Sequence, residues 1–197
     1  NRRCATTDGF GILVENLPRF VPSTGRVPSK MLVTRDYCVT MARYNSWQNR
    51  QMRAAFETLS DEALRKDRNA FFGSIFETAN HVLWADRIWM HRLGAGDAPE
   101  GHHLTLTATL ADWSDARSET DQRLLDWAGS LEARDLQGDV VWRSVMMERD
   151  FTHPFDLCVT HLFNHQTHHR GQIHAMLTDA GATAPVTDLL FMPEDGL

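Results

Sequence analysis

The sequence predicts an all-α protein built as a four-helix bundle, and three observations carry that reading. Four segments of about 20 residues or more place apolar side chains at helical spacing, three of them as aromatic-rich stripes. With 197 residues, 42% apolar and 23% charged, the chain can bury one full core and is short for two. Strand-like patterning is confined to residues 132–155, where β-branched residues and a proline predict a loop with one or two short strands.

Residues 1–30 hold Gly9, Gly11, Pro18, Pro22, Gly25 and Pro28 without a sustained period. They predict an irregular extension, of expression-derived or upstream origin, and lack the apolar stretch of a signal peptide. The compact domain is expected over 31–197. Its first helix runs from Thr34 to Leu59, with Tyr37, Met41, Tyr44, Trp47, Met52, Ala55, Phe56 and Leu59 as its stripe. Ser60 or Asp61 then caps a short turn. The second long helix is expected from Phe71 to Leu93, with Phe72, Ile75, Phe76, Ala79, Val82, Leu83, Ile88 and Trp89 on its apolar side and Gly94 as its stop. The third spans Thr109–Leu131, with Leu110, Trp113, Leu124, Trp127 and Leu131 inward. Asp156 is the expected cap of the last helix, which ends before Gly181 and Pro185. The tail "VTDLLFMPEDGL" predicts a turn or short helix. The links before and after the third helix are long enough for crossovers, so composition and spacing leave the helix order open.

A net charge of −6 argues against binding nucleic acid by phosphate neutralisation. No apolar run approaches the ~18–20 residues of a membrane span. Three scattered cysteines (Cys4, Cys38, Cys158) form neither a disulfide framework nor a thiolate knuckle, and a reducing cytoplasm is expected.

Five of the ten histidines fall within "HLFNHQTHHRGQIHAML", residues 161–177. Helical positions four apart differ by about 40° and lie about 6 Å apart along the axis, so His161, His165 and His169 form a series on one side. Two imidazoles so spaced can converge on an ion about 2.0–2.1 Å from each nitrogen. His161/His165 and His165/His169 both qualify. His81, amid the core-facing residues of the second helix, is the candidate third ligand; alone it reads as a hydrogen-bonded core histidine. The zincin motif HExxH is missing, since Gln166 follows His165, and the Glu-x-x-His pairs of a di-iron bundle are missing too. An all-imidazole donor set suits zinc or nickel, with iron(II) next, over magnesium or calcium.

"NHQTHHRGQIHAML", with "TANHVLWADRIWMHRL" upstream and "MARYNSWQNRQM" in the first helix, resembles the DinB/YfiT family of bacterial metal-binding bundles. The likeness covers most of residues 31–193. It implies an up-down-down-up bundle and a divalent cation held by His81, His165 and His169, which selects His165/His169 over His161/His165. His161 then becomes a pocket or supporting residue. Gln172 faces the site or the helix interface, Arg170 pairs with an acid at the bundle end, and Gly171 allows close helix approach. Asp86, about 140° around the helix from His81, is expected to bind an arginine of a neighbouring helix. Three protein ligands leave coordination positions open. The resemblance therefore implies a metal-dependent hydrolase, a thiol-dependent S-transferase or isomerase, or a non-catalytic metal-binding stress protein. Glu77, one turn before His81, is the only nearby carboxylate to serve as base. Trp-, Phe- and Met-rich faces, together with the resemblance, imply a homodimer acting on a small molecule or thiol.

Overall fold

A computed structural model describes residues 19–21, 32–144 and 147–194. Its order is β1 (Arg19–Val21), α1 (Arg35–Phe56), α2 (Asp61–Arg65), α3 (Ile75–Arg92), α4 (Leu110–Ser130), β2 (Asp139–Ser144), β3 (Arg149–Pro154), α5 (Phe155–Asp179) and a 3₁₀ turn at Leu189–Phe191. The four long helices form the expected bundle. Most of the expected extension lies outside the described residues; within it, Arg19–Val21 adds a strand to the β2–β3 hairpin, giving a three-stranded antiparallel sheet in the order β1-β2-β3.

Helix starts follow local hydrogen bonding. Thr34, Ser60, Ser74 and Thr109 each accept a backbone N–H three residues on, and Thr109 forms a capping box with Asp112. Ser74 explains why α3 begins four residues later than its apolar pattern: Gly73 takes φ +82° and the cap follows, so Phe71 and Phe72 belong to the preceding turn. Asp156 does not cap α5, whose N-cap position is Pro154 without a side-chain bond. Its Oδ2 instead accepts the Leu32 N–H at 2.9 Å, tying the lead into α1 to the start of α5.

Contacts at both ends of each pair define an up-down-down-up order. α1 runs antiparallel to α4, with Phe56 against Trp113 (rings 5.2 Å apart) and Arg35 donating to the Gly129 carbonyl (2.7 Å). α4 is parallel to α3: Trp113 Nε1 donates to Ala79 O, and Arg87 Nε to Thr120 Oγ1. α3 is antiparallel to α5 through Trp89–His161 and His81–His165, and α5 is parallel to α1 through Tyr37–Phe163 and Asn45–Arg170. α1 and α3 thus sit diagonally, as do α4 and α5, while α3 and α4 are parallel neighbours, which is why all three links between the long helices are long.

Two apolar clusters fill the bundle, one around Cys38, Leu124, Val159 and Phe163, the other around Phe56, Ile75, Leu83 and Leu177. A buried polar layer separates them, with members from every long helix. Asp86 Oδ2 meets Arg117 Nη1 at 2.6 Å, as its position on α3 predicts, and Asp121 Oδ1 meets Arg117 Nη2 at 2.9 Å. Asn45 and Asn49 donate to Asp121, Gln166 Nε2 donates to Asp86 Oδ1 at 3.0 Å, and Arg170 donates to Asn45 Oδ1. Two aspartates balance two arginines. Burial would lower the Arg117 pKa, but Asp121 and Asp86 more than offset it and hold the guanidinium above its ordinary value. Burial lowers Arg170 to about 10, still a cation at neutral pH. Arg170 therefore sits in the middle of the bundle, not at its end, because α5 turns it inward beside Gln166.

This layer fixes helix register. A slip of one turn would leave buried donors and charges unpaired, at several kcal/mol. The Asp86–Gln166 bond is the one that matters for the site, since it holds α3 against α5 where His81 and His165 meet.

Candidate metal centre

His81 projects from the middle of α3, and His165 and His169 project one turn apart from α5. One ring nitrogen of each lies within 4.8 Å of the other two. His165 Nε2 stands 3.3 Å from His81 Nε2 and 3.1 Å from His169 Nε2. Nitrogens bound at tetrahedral angles around one zinc-like ion stand about 3.3 Å apart, so both separations fit the shared ion. The donor chemistry fits as well. Burial, with the neighbouring imidazoles adding to it, pushes His81 and His165 down to about 3, and burial also lowers His169 despite its bond to Gln172. Neutral imidazoles present lone pairs; imidazolium rings would repel a cation. His169 is 6% exposed while His81 and His165 are only partly covered, so one side of the cluster is open.

The surroundings orient these rings. Gln172 Oε1 accepts from His169 Nδ1 at 2.7 Å, placing Gln172 in the site. Phe72 lies over the cluster, its ring 4.1 Å from His81 and 5.3 Å from His169. Its placement in the turn before α3 makes it a wall of the site and not part of a core stripe. His161 lies one turn before His165 with rings 5.6 Å apart and packs on Trp89 at 4.7 Å, outside the converging set. Burial and then Arg92 lower its pKa. Glu77 does not join the imidazoles. It lines a cavity of about 410 Å³ with Arg65, Ser74, Leu104, Thr105, Thr107 and Ala108. Gly171 faces open space, with nothing within 4 Å of where a Cβ would stand, so close helix approach is not its role.

His103 was hidden from pattern reading. Its Nδ1 lies 2.8 Å from His81 Nδ1. It stands in the irregular loop between α3 and α4, where no periodicity ties a side chain to a partner; "GHH" in a glycine-rich loop was the sole signal.

Comparison with known proteins agrees with this architecture. The DinB family profile matches residues 31–195. Protein DinB of Bacillus subtilis (strain 168) is 23% identical over 167 residues, spanning 78% of this chain and 91% of that protein. The crystal structure of a DinB-like protein from Bacillus cereus ATCC 10987 superposes with a TM-score of 0.60 at 18% identity, covering 77% of this chain and 95% of the other. A helical bundle with three converging histidines, matched by the family profile over most of its length, identifies this chain as a member of the DinB family.

Proposed function

We propose that the protein is a metal-dependent hydrolase, holding one divalent cation, zinc or nickel, on His81, His165 and His169. The observation that carries this is the count of donors: three imidazoles converge from two helices, and no fourth His, Cys, Asp or Glu joins the group among the described residues. Three protein ligands with the remaining positions free is the pattern of catalytic sites, whereas structural zinc is closed by four. When bound, such an ion supplies Lewis acidity and lowers the pKa of a water or thiol in the open position. The chain's own residues do the rest. α3 and α5 hold the imidazoles neutral and in register, Gln172 fixes the His169 ring, and Phe72 shields one side from bulk water.

The same donor count supports a second reading. Glu77 lines a separate cavity, and among the described residues no carboxylate joins the imidazole group as a ready base. Thiol-dependent S-transfer or isomerisation needs no such base, because a thiol sheds its proton on coordination. Zinc- and nickel-loaded, tag-free protein should be assayed against ester, amide and thiol-conjugation substrates, with metal-stripped protein as control. Metal-dependent turnover of esters or amides supports the hydrolase, and turnover only with a low-molecular-weight thiol supports the second reading. Metal-loaded protein inert throughout would leave a metal-binding stress protein and overturn both.

No described helix is long and apolar enough to cross a membrane. We place the protein in the reducing cytoplasm, in keeping with the free buried thiols of Cys38 and Cys158. We also propose a homodimer, supported by exposed Leu190 and Phe191 in the tail. A monomer mass by light scattering would refute it.

A further inference from the structure

We propose that His103 is a positioning residue for the metal centre, accepting the Nδ1–H of His81 and so committing His81 Nε2 to the cation; this rests on the three-histidine reading above. A neutral imidazole carries one proton, on one nitrogen or the other. His81 Nε2 faces His165 Nε2, and His81 Nδ1 faces His103 Nδ1 at 2.8 Å. For Nε2 to present its lone pair, the proton must sit on Nδ1, and a half-buried N–H needs an acceptor. His103 Nδ1 is that acceptor, with its own proton on Nε2.

The opposite polarity is equally simple to draw and chemically different. If His103 Nδ1–H donated to His81, the His81 proton would sit on Nε2 and point among the other imidazoles, where it blocks a cation. One hydrogen bond therefore has two directions, and only one permits metal. His169 has a stricter version of the device. Its Nδ1 meets the Gln172 amide oxygen, which can only accept, while the amide nitrogen lies 3.3 Å from His168 Nε2. Metal-binding histidines commonly depend on such partners for ring orientation and basicity.

The loop that carries His103 is built to keep it in place. Asn80, fully buried and next to His81 on α3, accepts from both Thr107 N–H (2.8 Å) and Thr107 Oγ1 (2.9 Å). Consecutive residues of α3 thus grip the same loop, one through Thr107 and the other through His103. Phe72 and Trp84 bracket the His103 ring at 5.7 and 6.0 Å.

The test measures zinc affinity, by chelator competition on tag-free full-length protein, for wild type, His103→Leu and His103→Asn, with His165→Ala as a ligand-loss control. Leucine removes the acceptor; asparagine restores an oxygen near the Nδ1 position. His103→Leu should raise the zinc Kd about 10–100-fold with unchanged helical circular dichroism, and His103→Asn should recover most of the loss. In zinc-loaded wild type, nitrogen-15 NMR should show His81 protonated at Nδ1 and scalar-coupled across the hydrogen bond to His103 Nδ1. His103→Leu binding like wild type, both variants weakening equally, or a zinc-loaded His81 lacking the Nδ1 proton would each overturn the inference. A wild type that takes up no zinc brings down the metal reading and this inference with it; a zinc-binding wild type beside an indifferent His103→Leu refutes the inference alone.

Discussion

Replacing Asp86 by alanine should be among the most damaging single changes to this fold. The side chain is 0% exposed and accepts from Arg117 Nη1 at 2.6 Å and Gln166 Nε2 at 3.0 Å. Truncation strips one of two counter-charges from Arg117, leaves the buried layer with two arginines against Asp121 alone, and orphans the Gln166 amide. Breaking a buried ion pair in this way costs about 3–5 kcal/mol, a large share of the about 5–15 kcal/mol that holds a domain together. At about 2–4 °C per kcal/mol for a chain of this size, the melting temperature should fall by about 6–20 °C. Thermal unfolding of metal-free wild type, Asp86→Ala, Arg117→Met and the double variant, followed by circular dichroism, measures both the cost and the coupling. The double variant should lose at least about 1 kcal/mol less than the sum of the singles, because no lone charge remains from that pair. An Asp86→Ala melting point within about 2 °C of wild type would refute the argument that this layer is a stabilising, register-setting network.

Three further outcomes follow from the site. Protein carrying His81→Ala or His169→Ala should emerge from purification without its ion by elemental analysis; unchanged metal content in both removes these residues from the ligand set. Zinc held free at 100 times its Kd should stabilise wild type by about 2.7 kcal/mol and raise its melting point by about 5–11 °C, with no rise in His165→Ala. The metal-free protein should be acid-sensitive. Burial lowers His81 and His165 from 6.5 to about 3 in the folded chain, so the unfolded chain binds more protons between those values. Their contribution is complete above pH 6.5 and is lost progressively as pH falls toward 3. Urea midpoints should drop from pH 7 to pH 5, and drop less in His81→Leu/His165→Leu. A midpoint that rises on acidification would contradict the sign.

The helices were readable because their apolar stripes recur at the helical period and their caps are local: Thr34, Ser60, Ser74 and Thr109 each act within one turn. His165 and His169 could be paired by spacing alone, but spacing allowed His161 equally, and only the family likeness separated them. Long-range partners were less accessible. Asp86 could be turned away from His81 by angle, yet its union with Arg117 and Gln166 needs three helices in place. An arginine on a helix is expected to pair with an acid at the bundle end; the inward placement of Arg170 depends on Asn45 from α1, which no local pattern reveals. Asp156 has the chemistry of a cap, but the strand at Pro154 feeds straight into α5 and leaves that carboxylate to the Leu32 amide. Phe72 and His103 lie in turns, where a short sequence pattern carries no direction, and both prove to flank the imidazoles.

The most direct measurement is X-ray absorption at the zinc edge of tag-free, zinc-loaded protein. Three imidazole nitrogens from the chain at about 2.0–2.1 Å, with one or two further oxygen donors and no sulfur, is the predicted first coordination sphere. A sphere with one imidazole or none, or one containing a cysteine sulfur, would contradict a metal centre built on His81, His165 and His169.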